Sequence, residues 1–191
     1  MKIIAITTPT AMPEDVCLIQ SLMDKGIDML HLRKPNANID ACRKILDALT
    51  SEQRSKIIIH DYPELYYNYS LKGIHINKNI PSLPDDYKGF KTRSCHSFDE
   101  LAKYKNDYDY LFLSPIFDSI SKNGYKSAYT DEDLHKASGL GIIDDKVIAL
   151  GGVTLDKIEY LRKLHFGGVA MIGGIYNMQL LQKLDHLIAY K

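Results

Sequence analysis

The sequence predicts an α/β fold, a single (β/α)8 barrel of parallel strands spanning residues 1–191, and three observations carry that expectation. Apolar runs of strand length alternate with helix-period segments along the whole chain, the pattern of repeated βα units. Eight such strands can be counted, with no linker, low-complexity tract or domain boundary between them. The glycine turns also stand at the wrong end for an open dinucleotide-binding sheet. That fold needs a glycine fingerprint after its first strand, where this chain has Thr7-Thr8-Pro9-Thr10, whereas Gly151-Gly152 and Gly173-Gly174 follow the last two strands.

In order, residues 2–7 are the first strand and 13–25 the first helix, opened by Pro13. Residues 29–33 are strand two, followed by a helix through Ile39, Cys42, Ile45, Leu46 and Leu49. Strand three is 56–60, its helix the tyrosine-rich 64–69, and strand four 73–76. Residues 77–89, with Pro81 and Pro84, read as an irregular connection. Strand five is 91–95, and a helix over 98–105 follows, with Ser97 as N-cap and Glu100 completing a capping box. Strand six is 110–114, and 115–129 is the longest loop. Strands seven and eight are 146–150 and 168–172, with a last helix from about 178 to 189.

Composition is that of an ordinary globular domain, 45% hydrophobic and 25% charged. Lys plus Arg and Asp plus Glu both total 24, so no global basic field argues for nucleic acid or an anionic membrane, and any anion site must be local. Cys17, Cys42 and Cys95 show no metal spacing and no even-numbered disulfide framework. With no signal-like or membrane-spanning run, the expected location is the cytoplasm; a homo-oligomer is left open.

Each glycine pair ends a strand and begins a helix-period segment. Such a turn can hold phosphate through backbone N–H groups, or can simply permit a tight βα connection. The other strand ends carry Thr7, His31, Arg33, His60, Asp61, His75, Ser94, His96 and Ser114. Arg33 suits bidentate phosphate binding or a surface ion pair. Asp61 suits Mg²⁺ or the N-cap of the helix after Pro63, and His75 suits catalysis or a packed barrel position. Cys95 and His96 are adjacent and face opposite sides, so they do not form a nucleophile and base pair. The tyrosines Tyr62, Tyr66, Tyr67 and Tyr69 stand at helical spacing and read as cover for the barrel's outside.

Taken together the segments HLRK at 31–34, IIHD at 58–61, GIHI at 73–76, SCHSFDEL at 94–101, YLFLSPIFDSISK at 110–122, IALGGV at 148–153 and GVAMIGGI at 168–175 resemble the thiamine phosphate synthase family and its relative, the thiazole tautomerase. The resemblance implies a transferase that joins 4-amino-2-methyl-5-hydroxymethylpyrimidine diphosphate to thiazole phosphate with Mg²⁺, so its partners are phosphorylated small molecules. Tautomerase-like chemistry and a non-catalytic thiazole phosphate or thiamine phosphate carrier are the alternatives. It further implies that Arg33 binds the diphosphate, that Asp61 is a Mg²⁺ ligand, that Ser94 contacts the pyrimidine diphosphate and that Lys122 is the family's loop lysine, with Arg33, Ser94 and Lys122 as the catalytic residues. The resemblance likewise implies that Ser119 and Ser121 hold the thiazole phosphate and that Gly151, Gly152 and Gly173 form its phosphate turn, with His31, His60, His75 and Ile172 among the substrate-binding residues.

The departures from the family cluster on the diphosphate side. His31 stands for a glutamine, Pro35 for a lysine and His60 for an asparagine, while Lys34 falls on the other strand face. The second metal carboxylate is expected within NKNI, where Asn77 and Asn79 carry no charge, and Gly173 replaces a serine. The loop histidine of the tautomerase is absent, its place taken by Pro115 or Ile116.

Overall fold

A computed structural model describes residues 1–118 and 127–172. Eight parallel strands follow one another in chain order around a closed barrel: β1 (Lys2–Ile6), β2 (Met29–Leu32), β3 (Ile57–Ile59), β4 (Gly73–Ile76), β5 (Phe90–Cys95), β6 (Tyr110–Leu113), β7 (Val147–Leu150) and β8 (Gly168–Met171). This is the expected fold, and the strand interiors explain it. Strands β2, β3, β4, β6 and β8 are buried at every position, as strands covered on both faces must be, and their sequences are correspondingly almost continuous apolar runs.

By contact the described residues form two compact units. In one, residues 4–91 together with Ile172, the strands β1 to β4 pair in parallel with Ile6 opposite His31, His31 opposite Ile58, and Ile59 opposite Ile74. Helices α1 (Asp15–Asp24), α2 (Ile39–Asp47), the single turn α3 (Ser51–Arg54) and α4 (Glu64–Tyr69) alternate with them. Helix α2 is capped by Asn38, whose side chain accepts from the Ala41 N–H, and it buries Cys42, Ile45 and Leu46. The α4 tyrosines cover the surface as expected: Tyr66 packs on Tyr67 and Tyr87, and Tyr69 donates to Asp47.

The other unit, residues 1–3 and 92–171, pairs β5 with β6, β6 with β7 and β7 with β8, with Cys95 opposite Leu113 and Leu150 opposite Ala170. Ser97 caps α5 (Phe98–Tyr104) and accepts from the Glu100 N–H, but the capping box is not closed. The Glu100 carboxylate reaches one residue further back and takes the His96 N–H at 2.6 Å. A helix absent from the sequence reading, α6 (Asp131–Gly139), follows the long loop; Thr130 and Asp133 cap it reciprocally. Thr-x-x-Asp before Leu134 was its signal, weakened by the sparse apolar content of DEDLHKASG. After β7 the chain makes a single 3₁₀ turn, Leu155–Lys157, and a short α7 (Ile158–Lys163). The predicted helix at 178–189 lies outside the described residues.

Candidate active site

The ends of β1 to β4 gather most of the polar candidates. Arg33, one residue past β2, is held by its backbone: the Thr7 hydroxyl accepts its N–H at 2.9 Å and donates to its carbonyl at 3.0 Å. A single side chain from the end of β1 therefore locks the backbone from which the guanidinium projects. Thr7 itself is 3% exposed. Alternation along β2 puts His31 and Arg33 on one face. Continuing the β3–β4 register brings His60 beside His75, and the two rings stack at 4.0 Å with planes 13° apart. His31 Nδ1 lies 2.7 Å from His60 Nε2. Burial holds both His31 and His60 well below the ordinary imidazole pKa; His75 adds to the effect on each, and His31 and then Arg33 add further to that on His60. Both rings are neutral at pH 7.

Asp61 does not cap α4, whose N-cap position is Pro63 with no side-chain bond. Its carboxylate instead accepts the Lys34 N–H at 3.1 Å, tying the end of β3 to the end of β2. Lys34 turns away into the protein, fully buried, with its ammonium 2.7 Å from Asp15 and donating to the Thr10 carbonyl at 2.9 Å. Asp15 also accepts the Met12 N–H. Lys34 is thus a pin beneath the β1 loop, and sequence reasoning missed its buried partner because Asp15 lies 19 residues away on α1.

Asn77 opens the uncharged NKNI stretch in which the family resemblance leads one to expect a second carboxylate, and its amide is already committed. Nδ2 donates to the His60 carbonyl at 2.7 Å, and Oδ1 accepts the N–H groups of Asn79 and Ile80. It fastens the ends of β3 and β4 together, and as a neutral amide it brings no charge to a metal. Asp85 and Asp86 are exposed. Of the carboxylates proposed for a metal, Asp61 stands at a strand end, which matches the one or two carboxylates that Mg²⁺ needs alongside phosphate oxygens.

In the other unit Ser94 lies on β5, opposite Phe112. Cys95 is fully buried with its thiol pushed up to about 11 by burial, and His96 is exposed, its Nδ1 on the Ser114 carbonyl, so the two do not act together. At the end of β7, Gly151 and Gly152 have φ of +91° and +63°, which only glycine adopts without strain. A Cβ on Gly152 would stand 2.4 Å from the Asp118 carbonyl oxygen, and one on Gly151 would stand 2.9 Å from Pro115 Cα. The glycine pair therefore serves the close approach of the 115–118 segment, which the Ile116 and Phe117 N–H groups fasten to the Leu150 and Gly151 carbonyls. Because only a 3₁₀ turn and a six-residue helix follow, anion binding here would rest on turn N–H groups more than on a helix dipole. Ile172 follows β8 and is 38% exposed. Ser119, Ser121, Lys122 and Gly173 lie outside the described residues. Among the described residues no helix is long and apolar enough to cross a membrane.

Comparison with known proteins agrees with the fold. The family profile described as "Thiamine monophosphate synthase" matches residues 3–175. A crystal structure of thiamine phosphate pyrophosphorylase from Bacteroides thetaiotaomicron is 34% identical, with a TM-score of 0.87, covering 100% of this chain and 99% of that one. The thiamine-phosphate synthase of Marinobacter nauticus is 30% identical over 130 residues, 64% of this chain and 57% of that protein. That of Staphylococcus carnosus is 25% identical over 172 residues, 83% of this chain and 79% of that protein. The chain belongs to the thiamine monophosphate synthase family, a family of transferases acting on phosphorylated small molecules.

Proposed function

We propose that this chain forms thiamine phosphate from 4-amino-2-methyl-5-hydroxymethylpyrimidine diphosphate and thiazole phosphate. The observation that carries the reading is Arg33, a cation anchored at the end of β2 by Thr7, with the Asp61 carboxylate at the neighbouring strand end. Active sites of this fold are built at the C-terminal ends of the strands. In the reaction the C–O bond between the pyrimidine methylene and the diphosphate breaks, and the electron pair leaves with the diphosphate. The thiazole nitrogen lone pair then forms the new C–N bond to the methylene carbon.

The protein's part is to offset charge growing on the leaving group. Arg33 takes diphosphate oxygens in bidentate fashion, and Ser94 and Lys122 contribute polar contacts to the same group. The neutral imidazoles of His31 and His60, with His75 beside them, present donors and acceptors to the substrate. Ser119, Ser121, the N–H groups around Gly151 and Gly152, and the Ile172–Gly173 turn hold the thiazole phosphate. Asp61 would hold Mg²⁺, which when bound would supply further charge neutralisation on the diphosphate.

Mixing the purified protein with both substrates, with and without Mg²⁺, tests the reading through oxidation of the product to its fluorescent derivative. Product that requires Mg²⁺ is expected. The committed amide of Asn77 favours one alternative, a thiazole phosphate tautomerase or carrier, and it would be supported by calorimetric binding of thiazole phosphate with no product at any Mg²⁺ concentration.

Gly152→Ala separates the two phosphate ends. The added methyl meets the Asp118 carbonyl in a backbone conformation unsuited to alanine, so the turn must shift. KM for thiazole phosphate is expected to rise about tenfold or more while KM for the pyrimidine changes little. An equal rise in both would misassign the glycine turn.

A further inference from the structure

We propose that His31, His60 and His75 form a transition-metal site whose best-matched ion is Zn²⁺. The three imidazoles come from consecutive strands and are 0%, 7% and 4% exposed. Each sets a ring nitrogen within 4.8 Å of the other two. Among the described residues they are the one group of three or more His, Cys, Asp or Glu side chains to converge in this way. The inference goes beyond the synthase reading, in which the same three rings contact substrate: an ion held by their ring nitrogens and a substrate contacting them are alternative occupants of the cluster.

Donor chemistry selects the ion. Imidazole nitrogen suits zinc, copper and nickel, whereas Mg²⁺ takes oxygen and keeps its waters, so this site is distinct from the carboxylate at Asp61. A metal ligand must offer a lone pair, and an unprotonated imidazole nitrogen carries one. Their 2.7 Å nitrogen-to-nitrogen contact holds one proton, donated by one ring and accepted by the other. A divalent ion in that proton's place opens the contact to about 3.3 Å, the spacing that tetrahedral Zn–N bonds of about 2.0–2.1 Å require. His75 stands stacked on His60 at 4.0 Å with planes 13° apart, and joining the site requires its ring to turn out of that stack.

The surroundings are suited to hold such a set. The Asn77 amide fixes the backbone carbonyl of His60, and on the same face of the strand β3 supplies the fully buried Ile58. Three protein ligands with a fourth position left over is the pattern of zinc sites that bind a further oxygen ligand rather than of closed structural sites.

The test uses protein purified without a polyhistidine tag, stripped with chelator, and titrated with Zn²⁺ in a calorimeter, followed by metal analysis after dialysis. One Zn²⁺ per chain is expected, undiminished by millimolar Mg²⁺. H31Q and H60N, which replace imidazole by amides of comparable reach, are each expected to weaken binding by about a hundredfold or more. Circular dichroism of both variants verifies that they fold. Co²⁺ added to the unaltered protein gives a reading independent of any variant. An intense visible band of a four-coordinate nitrogen site supports the proposal. A weak octahedral spectrum, substoichiometric zinc, or zinc binding unchanged in the folded variants overturns it.

Discussion

Lys34→Met unfolds in urea with a stability about 3–5 kcal/mol below that of the unaltered chain. The side chain is 0% exposed and its partner Asp15 1%, with 2.7 Å between the charges. Methionine fills nearly the same volume, so the loss comes from stranding a carboxylate in the interior and not from a cavity. The double variant Lys34→Met with Asp15→Leu separates these causes. It no longer buries an unpaired charge, and it should recover part of the loss despite leaving the Thr10 carbonyl and the Met12 N–H without their partners. A single-variant loss under about 1 kcal/mol would mean that water reaches the Asp15 carboxylate and that the pair is not a structural pin.

Arg33→Ala lowers kcat/KM for thiamine phosphate formation by about 2–4 kcal/mol, roughly 30- to 700-fold, the cost of a lost charged contact to phosphate. The effect falls on the pyrimidine diphosphate side and leaves thiazole phosphate binding unchanged. Thr7→Val provides the companion measurement. It keeps the guanidinium but removes the hydroxyl that holds the Arg33 N–H and carbonyl, and a smaller loss of about 1–2 kcal/mol is expected. An unaltered rate in Arg33→Ala would remove the arginine from the mechanism. Equal losses in the two variants would show that the position of the β2 end matters more than the charge it carries.

The fold was legible because its signal is local. Most strands are apolar runs, five of them buried at every position, and helical patterns separate most of them. The tyrosine helix and the strand Gly73–Ile76 lie where periodicity places them. Helix α6 escaped because its apolar stripe amounts to Leu134 and Ala137, too little for periodicity to register against a run of charges. The Glu100 half of the expected capping box moved for a different reason: a carboxylate can reach either of two neighbouring N–H groups, and the tertiary setting of His96 chose between them.

The sequence by itself determined which chemistry stands at each strand end, since the period of two and the strand boundaries put Arg33, His60, Asp61, His75 and Ser94 there. Family membership was also legible, carried by short motifs in order. The tertiary structure alone decided what those groups touch. It sent Lys34 inward to Asp15, gave Asp61 to the Lys34 N–H instead of a helix cap, committed Asn77 to the ends of two strands, and brought three histidines from three strands into one buried cluster. Each of these contacts joins residues that are distant in the chain or compete for several partners, and strand pairing, not local propensity, fixes which partner is within hydrogen-bond reach.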